Sequence, residues 1–173
     1  CRRVFAIYDE PVLVKDGEGV VLNDGAAPAI SFKRTAFAYG TGEPQALNDV
    51  TMTVEAGQTV ALVGRSGAGK TTCAHMLLRF WDPNAGSITL HGHDLREFKL
   101  DDLREKIALV SQDTYLFNTT IKENLSMAWP DATDIQIEES ARLANAHEFI
   151  DSLPDRYETL VGERGMHLSG GQR

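Results

Sequence analysis

Gly64-Arg65-Ser66-Gly67-Ala68-Gly69-Lys70-Thr71 fits the spacing G-x-x-x-x-G-K-[ST]. Each fixed residue type suits the handling of phosphate. Gly64, Gly67 and Gly69 let the backbone curl round anionic oxygens with no Cβ in the way. Lys70 brings a positive charge to the β- and γ-phosphates of a nucleotide, and Thr71 offers a hydroxyl to Mg²⁺. Ser66, Ala68 and Thr72 complete the loop and open a helix, whose free N–H groups and positive dipole end face the same anion. The alternative is a glycine-rich turn with no ligand.

The flanking elements favour the phosphate loop. Residues 59–63 (TVALV) read as a buried parallel strand, and residues 72–80 as a helix with an apolar face. Strand, glycine loop and helix in that order is the required setting. Further strands are expected over 30–39, 50–55, 87–91 and 107–110, with turns at 40–44, 56–57 and 82–86. Helices are expected over 100–106, 120–127, 133–144 and 147–153, the third capped by Thr133. Residues 2–10 read as a short helix or the end of a longer one, and 11–28 as a linker rich in Gly, Asp, Asn, Pro and Ala.

Composition narrows the function classes. The chain has 173 residues, a length that suits one domain, and a net charge of −8, which argues against a nucleic-acid surface. No apolar run approaches the roughly 18 residues of a membrane span. No signal-peptide pattern follows Cys1-Arg2-Arg3. With only Cys1 and Cys73, no disulfide framework is expected and the cytosol is the default compartment. His75, His91, His93 and His147 lack metal-ligand spacing and read as surface or packing residues.

A second motif, Leu168-Ser169-Gly170-Gly171-Gln172, lies about a hundred residues after the first. Alone, a Ser-Gly-Gly turn says little. Together the two motifs resemble the nucleotide-binding domain of ABC transporters, whose signature is LSGGQ. The resemblance implies an α/β fold: a P-loop NTPase core, an antiparallel β subdomain, and a helical subdomain over about 119–172. It implies ATP and Mg²⁺ as cofactors. It also implies that Ser169, Gly170, Gly171 and Gln172 act on ATP held by a second nucleotide-binding domain in a head-to-tail dimer.

Other segments extend the likeness to nearly the whole chain. Phe37-Ala38-Tyr39 is similar to the family's A-loop, which makes Tyr39 the residue stacked on adenine; the alternative is a strand tyrosine packed on the core. Residues 109–113 (LVSQD) resemble the Q-loop, which puts Gln112 at Mg²⁺ or the attacking water and, with Lys70, among the catalytic residues. Residues 159–165 resemble the exporter X-loop, so that the Gln112 loop and the Glu163 region would contact a membrane-spanning domain. Residues 1–29 then read as a connector from such a domain and 30–173 as a partial nucleotide-binding domain, at the cytoplasmic face of the cell membrane.

The family's Walker B aspartate, water-activating glutamate and switch histidine follow the signature, and no residue up to Arg173 matches them. The expectation is a domain incomplete at its C-terminus that binds ATP-Mg²⁺ weakly, hydrolyses little and leaves an apolar strand edge exposed. Two other readings stand beside an exporter ATPase. One is a soluble ABC ATPase of translation or DNA repair, against which the linker, the X-loop and the acidic charge argue. The other is a non-catalytic fragment that binds nucleotide or nothing.

Overall fold

The computed structural model describes residues 11–20, 30–111 and 115–162. They fall into two compact units, divided between Leu109 and Val110.

The first unit is built on a four-stranded antiparallel sheet in the order β2-β1-β3-β4. Its strands are β1 (Ile30–Phe37), β2 (Leu47–Val54), β3 (Ala85–Leu90) and β4 (His93–Asp94). Strict alternation would send Phe32 and Thr35 to opposite faces, yet both are fully buried. An irregularity in β1 reconciles them. The register with β2 shifts between Phe32 and Thr35, and Arg34 takes φ 49°. Gly86 of β3 lies under this bulge. It has φ +77°, and a Cβ there would stand 2.3 Å from the Arg34 carbonyl oxygen, so only glycine fits.

Helix α1 (Lys70–Leu77) packs Cys73 and Met76 into the core with Phe32, Phe37, Leu47, Ile88 and Leu90. Leu95, Phe98 and Leu103 close the cluster, from a 3₁₀ turn (Leu95–Glu97), the residue after it and helix α2 (Leu100–Glu105). The linker reading of 11–28 underestimates its first part. Gly17 N–H donates to the Phe98 carbonyl at 3.1 Å, Gly19 N–H to that of Glu97 at 2.9 Å, and Leu100 N–H to Asp16 Oδ1 at 2.7 Å. Residues 11–20 thus form a strap bonded to the first unit.

The second unit contains α3 (Ile121–Ser126), α4 (Asp134–Leu143) and α5 (His147–Asp151), with a 3₁₀ turn at Arg156–Glu158. Ile121, Ala141, Ile150 and Val161 form its core. Capping boxes start two of the helices, Thr120 with Glu123 and Thr133 with Gln136. Thr133 is therefore the N-cap that its sequence position suggests.

Two expected strands do not form. Residues 59–63 and 107–110 carry no strand, and Val63 and Val110 are 90% and 93% exposed. A parallel strand is held by ladders to its neighbours. Among the described residues no strand pairs with either segment; Val63 and Val110 stay in solvent, while Ile107 packs against the core. Elsewhere among the described residues the expected elements are present with shifted ends; the helix expected over 2–10 lies outside them. β2 begins at Leu47 rather than 50, β3 spans Ala85–Leu90, and α1 starts at Lys70 within the loop motif and ends at Leu77.

These burials predict opposite outcomes for two apolar residues. Phe32→Ala should cost about 3–5 kcal/mol of stability, because it opens a cavity at a fully buried site. Val63→Ser should stay within about 0.5 kcal/mol. Urea unfolding followed by circular dichroism measures both.

Candidate functional site

The glycine loop lies at the start of α1, and residues 64–68 are exposed. Gly69 is the helix N-cap residue, in the left-handed conformation at φ 84°. A Cβ on Gly69 would stand 2.4 Å from the Ala46 carbonyl oxygen and 2.8 Å from Leu47 Cδ2. The chain can therefore pass the end of the sheet here only as glycine. Gly67 also has positive φ, 80°, but open space around it.

No side chain caps α1, and its first turn holds no acid. The α3 and α4 N-termini are each closed by a threonine hydroxyl. The difference leaves N–H donors and the positive dipole end of α1 available to an anion. Lys70 reinforces this. Its ammonium donates to the Gly64 carbonyl at 2.9 Å and the Arg65 carbonyl at 2.8 Å. An ammonium has three N–H donors, so one is left for a phosphate oxygen while two brace the loop. Thr71 is exposed beside it.

Tyr39 is tied to the same helix. Its hydroxyl is 3.0 Å from Oγ1 of Thr72, a buried residue one turn into α1. Its ring meets Phe37 and Trp81 edge-to-face, with centroids 4.9 and 5.0 Å away. Tyr39 is still 47% exposed, so packing holds the ring without covering it. It lines a cleft of about 510 Å³ with Leu13, Val14, Trp81, Asp82 and Asn84. No residue of the glycine loop lines that cleft; the Tyr39–Thr72 bond joins the two. Behind the loop, burial pushes the Cys73 thiol up, partly offset by a backbone hydrogen bond, which favours the uncharged form.

The arrangement is an anion cradle on a helix N-terminus, with an aromatic platform linked to it through one hydroxyl. The family model described as "ABC transporter" matches residues 47–173. The chain belongs to the ABC transporter family. It is 46% identical over 173 residues to ABC transporter B family member 1 of Arabidopsis thaliana, a match covering 99% of this chain and 14% of that protein. It is 43% identical over 170 residues to a putative multidrug export ATP-binding/permease protein of Staphylococcus aureus, covering 98% of this chain and 29% of the relative. The chain thus spans less than a third of these relatives' length.

The fold agrees. The structure of a bacterial Atm1-family ABC exporter with ATP bound superposes with a TM-score of 0.89 at 36% identity, over 99% of this chain and 30% of that one. The architecture is thus that of the ABC ATPase, a P-loop NTPase with an antiparallel sheet.

Within this ABC transporter chain, the structure brings Gly64, Ser66, Gly67, Ala68, Gly69, Lys70, Thr71, Thr72 and Tyr39 into one region through α1. Gln112, Glu163 and the signature residues Ser169, Gly170, Gly171 and Gln172 lie outside the described residues. Sequence reasoning missed Arg79. It is 2% exposed and sits just past α1, where its guanidinium binds Asp82 at 2.9 Å and the Lys15 carbonyl at 2.7 Å. The one available signal was an acid three residues after an arginine.

The two left-handed glycines should respond differently to a methyl group. Gly67→Ala meets only backbone strain, about 1–2 kcal/mol. Gly69→Ala adds a collision with the Ala46 carbonyl and should cost clearly more, measured as the difference in urea midpoint between the variants.

Proposed function

We propose that this chain is the ATP-binding portion of an ABC exporter, coupling ATP binding and hydrolysis to efflux across a membrane. The observation that carries the reading is the uncapped N-terminus of α1, entered through Gly69 and braced by Lys70. An anion there receives backbone N–H groups, the helix dipole and one ammonium donor together. Mg²⁺, when bound with ATP, would neutralise charge on the β- and γ-phosphates, with Thr71 and Gln112 as the protein oxygens offered to it. Among the described residues no group of three His, Cys, Asp or Glu side chains is placed to hold a metal. Mg²⁺ in a nucleotide site needs only one or two protein ligands besides phosphate and water, so the hydroxyl at Thr71 fits that demand.

Tyr39 supplies the platform for adenine. The half-exposed ring, fixed by Thr72, Phe37 and Trp81, is ready to stack without losing much conformational freedom. Ser169, Gly170, Gly171 and Gln172 act in trans on ATP held by a second domain. Gln112 and the Glu163 region face a membrane-spanning domain, at the cytoplasmic side of the cell membrane. The exporter names of the Staphylococcus aureus relative and of the Atm1-family structure support that assignment.

Binding and turnover separate in this reading. Hydrolysis needs a carboxylate to activate water. Residues 64–72 contain none, and the first turn of α1 holds no acid. The loop by itself thus supplies binding groups and no base, and in this reading the 173-residue chain binds Mg-ATP weakly and turns it over little.

Calorimetric titration with Mg-ATP tests the proposal. Lys70→Ala should weaken binding at least tenfold, through loss of a charge-assisted bond and of the loop brace. Tyr39→Ala should remove about 1–3 kcal/mol, as for base–aromatic stacking elsewhere. Unchanged affinity in Lys70→Ala would sink the phosphate assignment. Fast ATP hydrolysis by the chain, lost in Lys70→Ala, would refute the separation of binding from turnover.

A further inference from the structure

Arg79 holds more of the molecule together than any other described side chain near the site. Its guanidinium is bidentate to Asp82, at 2.9 Å from Nε and 3.2 Å from Nη2. Nη1 donates to the carbonyls of Leu95 at 3.2 Å and Phe98 at 3.3 Å. Nη2 also donates to the Lys15 carbonyl at 2.7 Å, a residue 64 positions earlier. The backbone φ at Arg79 is 50°, an uncommon conformation for a branched-free but bulky residue, and the five bonds hold it there. A buried arginine without these acceptors would be strongly unfavourable.

The Lys15 bond has a further effect. Together with those of Asp16, Gly17 and Gly19 it fixes the strap by polar contacts. Within the strap Val20 packs against the core, while the apolar residues at its start do not. Leu13 is 75% exposed and Val14 only partly covered, yet both line the cleft at Tyr39. A segment docked by polar bonds with aliphatic side chains held at a cleft mouth is arranged for a contact other than its own folding. The remaining walls fit a flat aromatic group. Tyr39 and Trp81 give ring surface, and Asn84 adds a polar edge. Asp82, the only acid among the described residues lining the cleft, has both carboxylate oxygens on Arg79, so its charge is balanced. The volume of about 510 Å³ lies in the range of roughly 300–1,000 Å³ typical of small-molecule sites.

We propose that Arg79 is a positioning residue for nucleobase binding: it anchors the strap so that Leu13 and Val14 form, with Tyr39 and Trp81, the walls of a base cleft. This rests on the reading of Tyr39 as the adenine platform. The phosphates are held separately, by the loop at α1. The strap therefore governs affinity for the base and leaves affinity for the phosphates alone.

The test compares two ligands, Mg-ATP and inorganic triphosphate with Mg²⁺, by calorimetric titration of the 173-residue chain. Three variants reach the strap independently. Leu13→Ser changes an exposed wall residue and leaves the fold intact. Gly17→Val places a Cβ 2.5 Å from the Glu97 and Phe98 carbonyl oxygens and lifts the strap. Arg79→Ala removes the anchor, and the other two variants carry the test where it fails to fold. In each, the Kd for Mg-ATP should rise roughly three- to tenfold, and that for triphosphate should stay constant. Equal losses for both ligands, or no loss for either, would overturn the proposal. Tyr39→Ala separates it from the underlying reading. If Tyr39→Ala removes the preference for ATP over triphosphate while Leu13→Ser keeps it, the adenine platform stands and the strap wall falls. If wild-type protein binds both ligands equally, the platform itself falls, and the strap proposal with it.

Discussion

The approach of α1 to the sheet depends on one close contact, the passage of Gly69 over the Ala46 carbonyl and Leu47. The space there admits no Cβ, and the backbone turns left-handed at that residue. That turn directs the helix into the core, where Cys73 and Met76 meet Phe32, Phe37 and Leu47. It also sets where the open N-terminus of α1 faces. The burial of one side of the helix and the availability of its end are thus two results of a single backbone constraint.

The same constraint sets the position of Tyr39. Thr72 is buried because α1 lies close to the sheet, and its hydroxyl reaches the phenol at 3.0 Å. The ring is then held in an aromatic cluster with Phe37 and Trp81. Trp81 comes from the turn after α1, and the neighbouring Arg79 fastens that turn to Asp82, Leu95, Phe98 and Lys15. Helix start and helix end are therefore both fixed, the first by lack of space and the second by a buried charge with all its donors engaged.

The glycine loop, the helix after it and the Thr133 cap were legible in the sequence, because each depends on residues within a few positions of one another. Thr133 with Gln136 is a purely local pair, and so is the Gly69-Lys70-Thr71 opening of α1. The errors fall where structure depends on distant partners. Residues 59–63 have strand composition, but a ladder needs a second strand, and composition alone does not provide one. The strap was hidden for the converse reason: its glycines and acids read as a loop, while its bonds go to residues about 80 positions away. Arg79 was read as one more helix residue because nothing nearby in sequence announces three carbonyl acceptors from remote segments.

The contrast between capped and uncapped helices has a kinetic consequence. α3 and α4 close their first turns with their own side chains, so their ends are protected whatever the solution contains. The first turn of α1 has no such internal closure, and its amide protons are the ones left to the solvent. Local opening there costs little, and an anion that seats on those amides draws the equilibrium toward the closed turn by mass action. The amides left open at the start of α1 are thereby the ones whose exchange rate reports on the occupant of the loop.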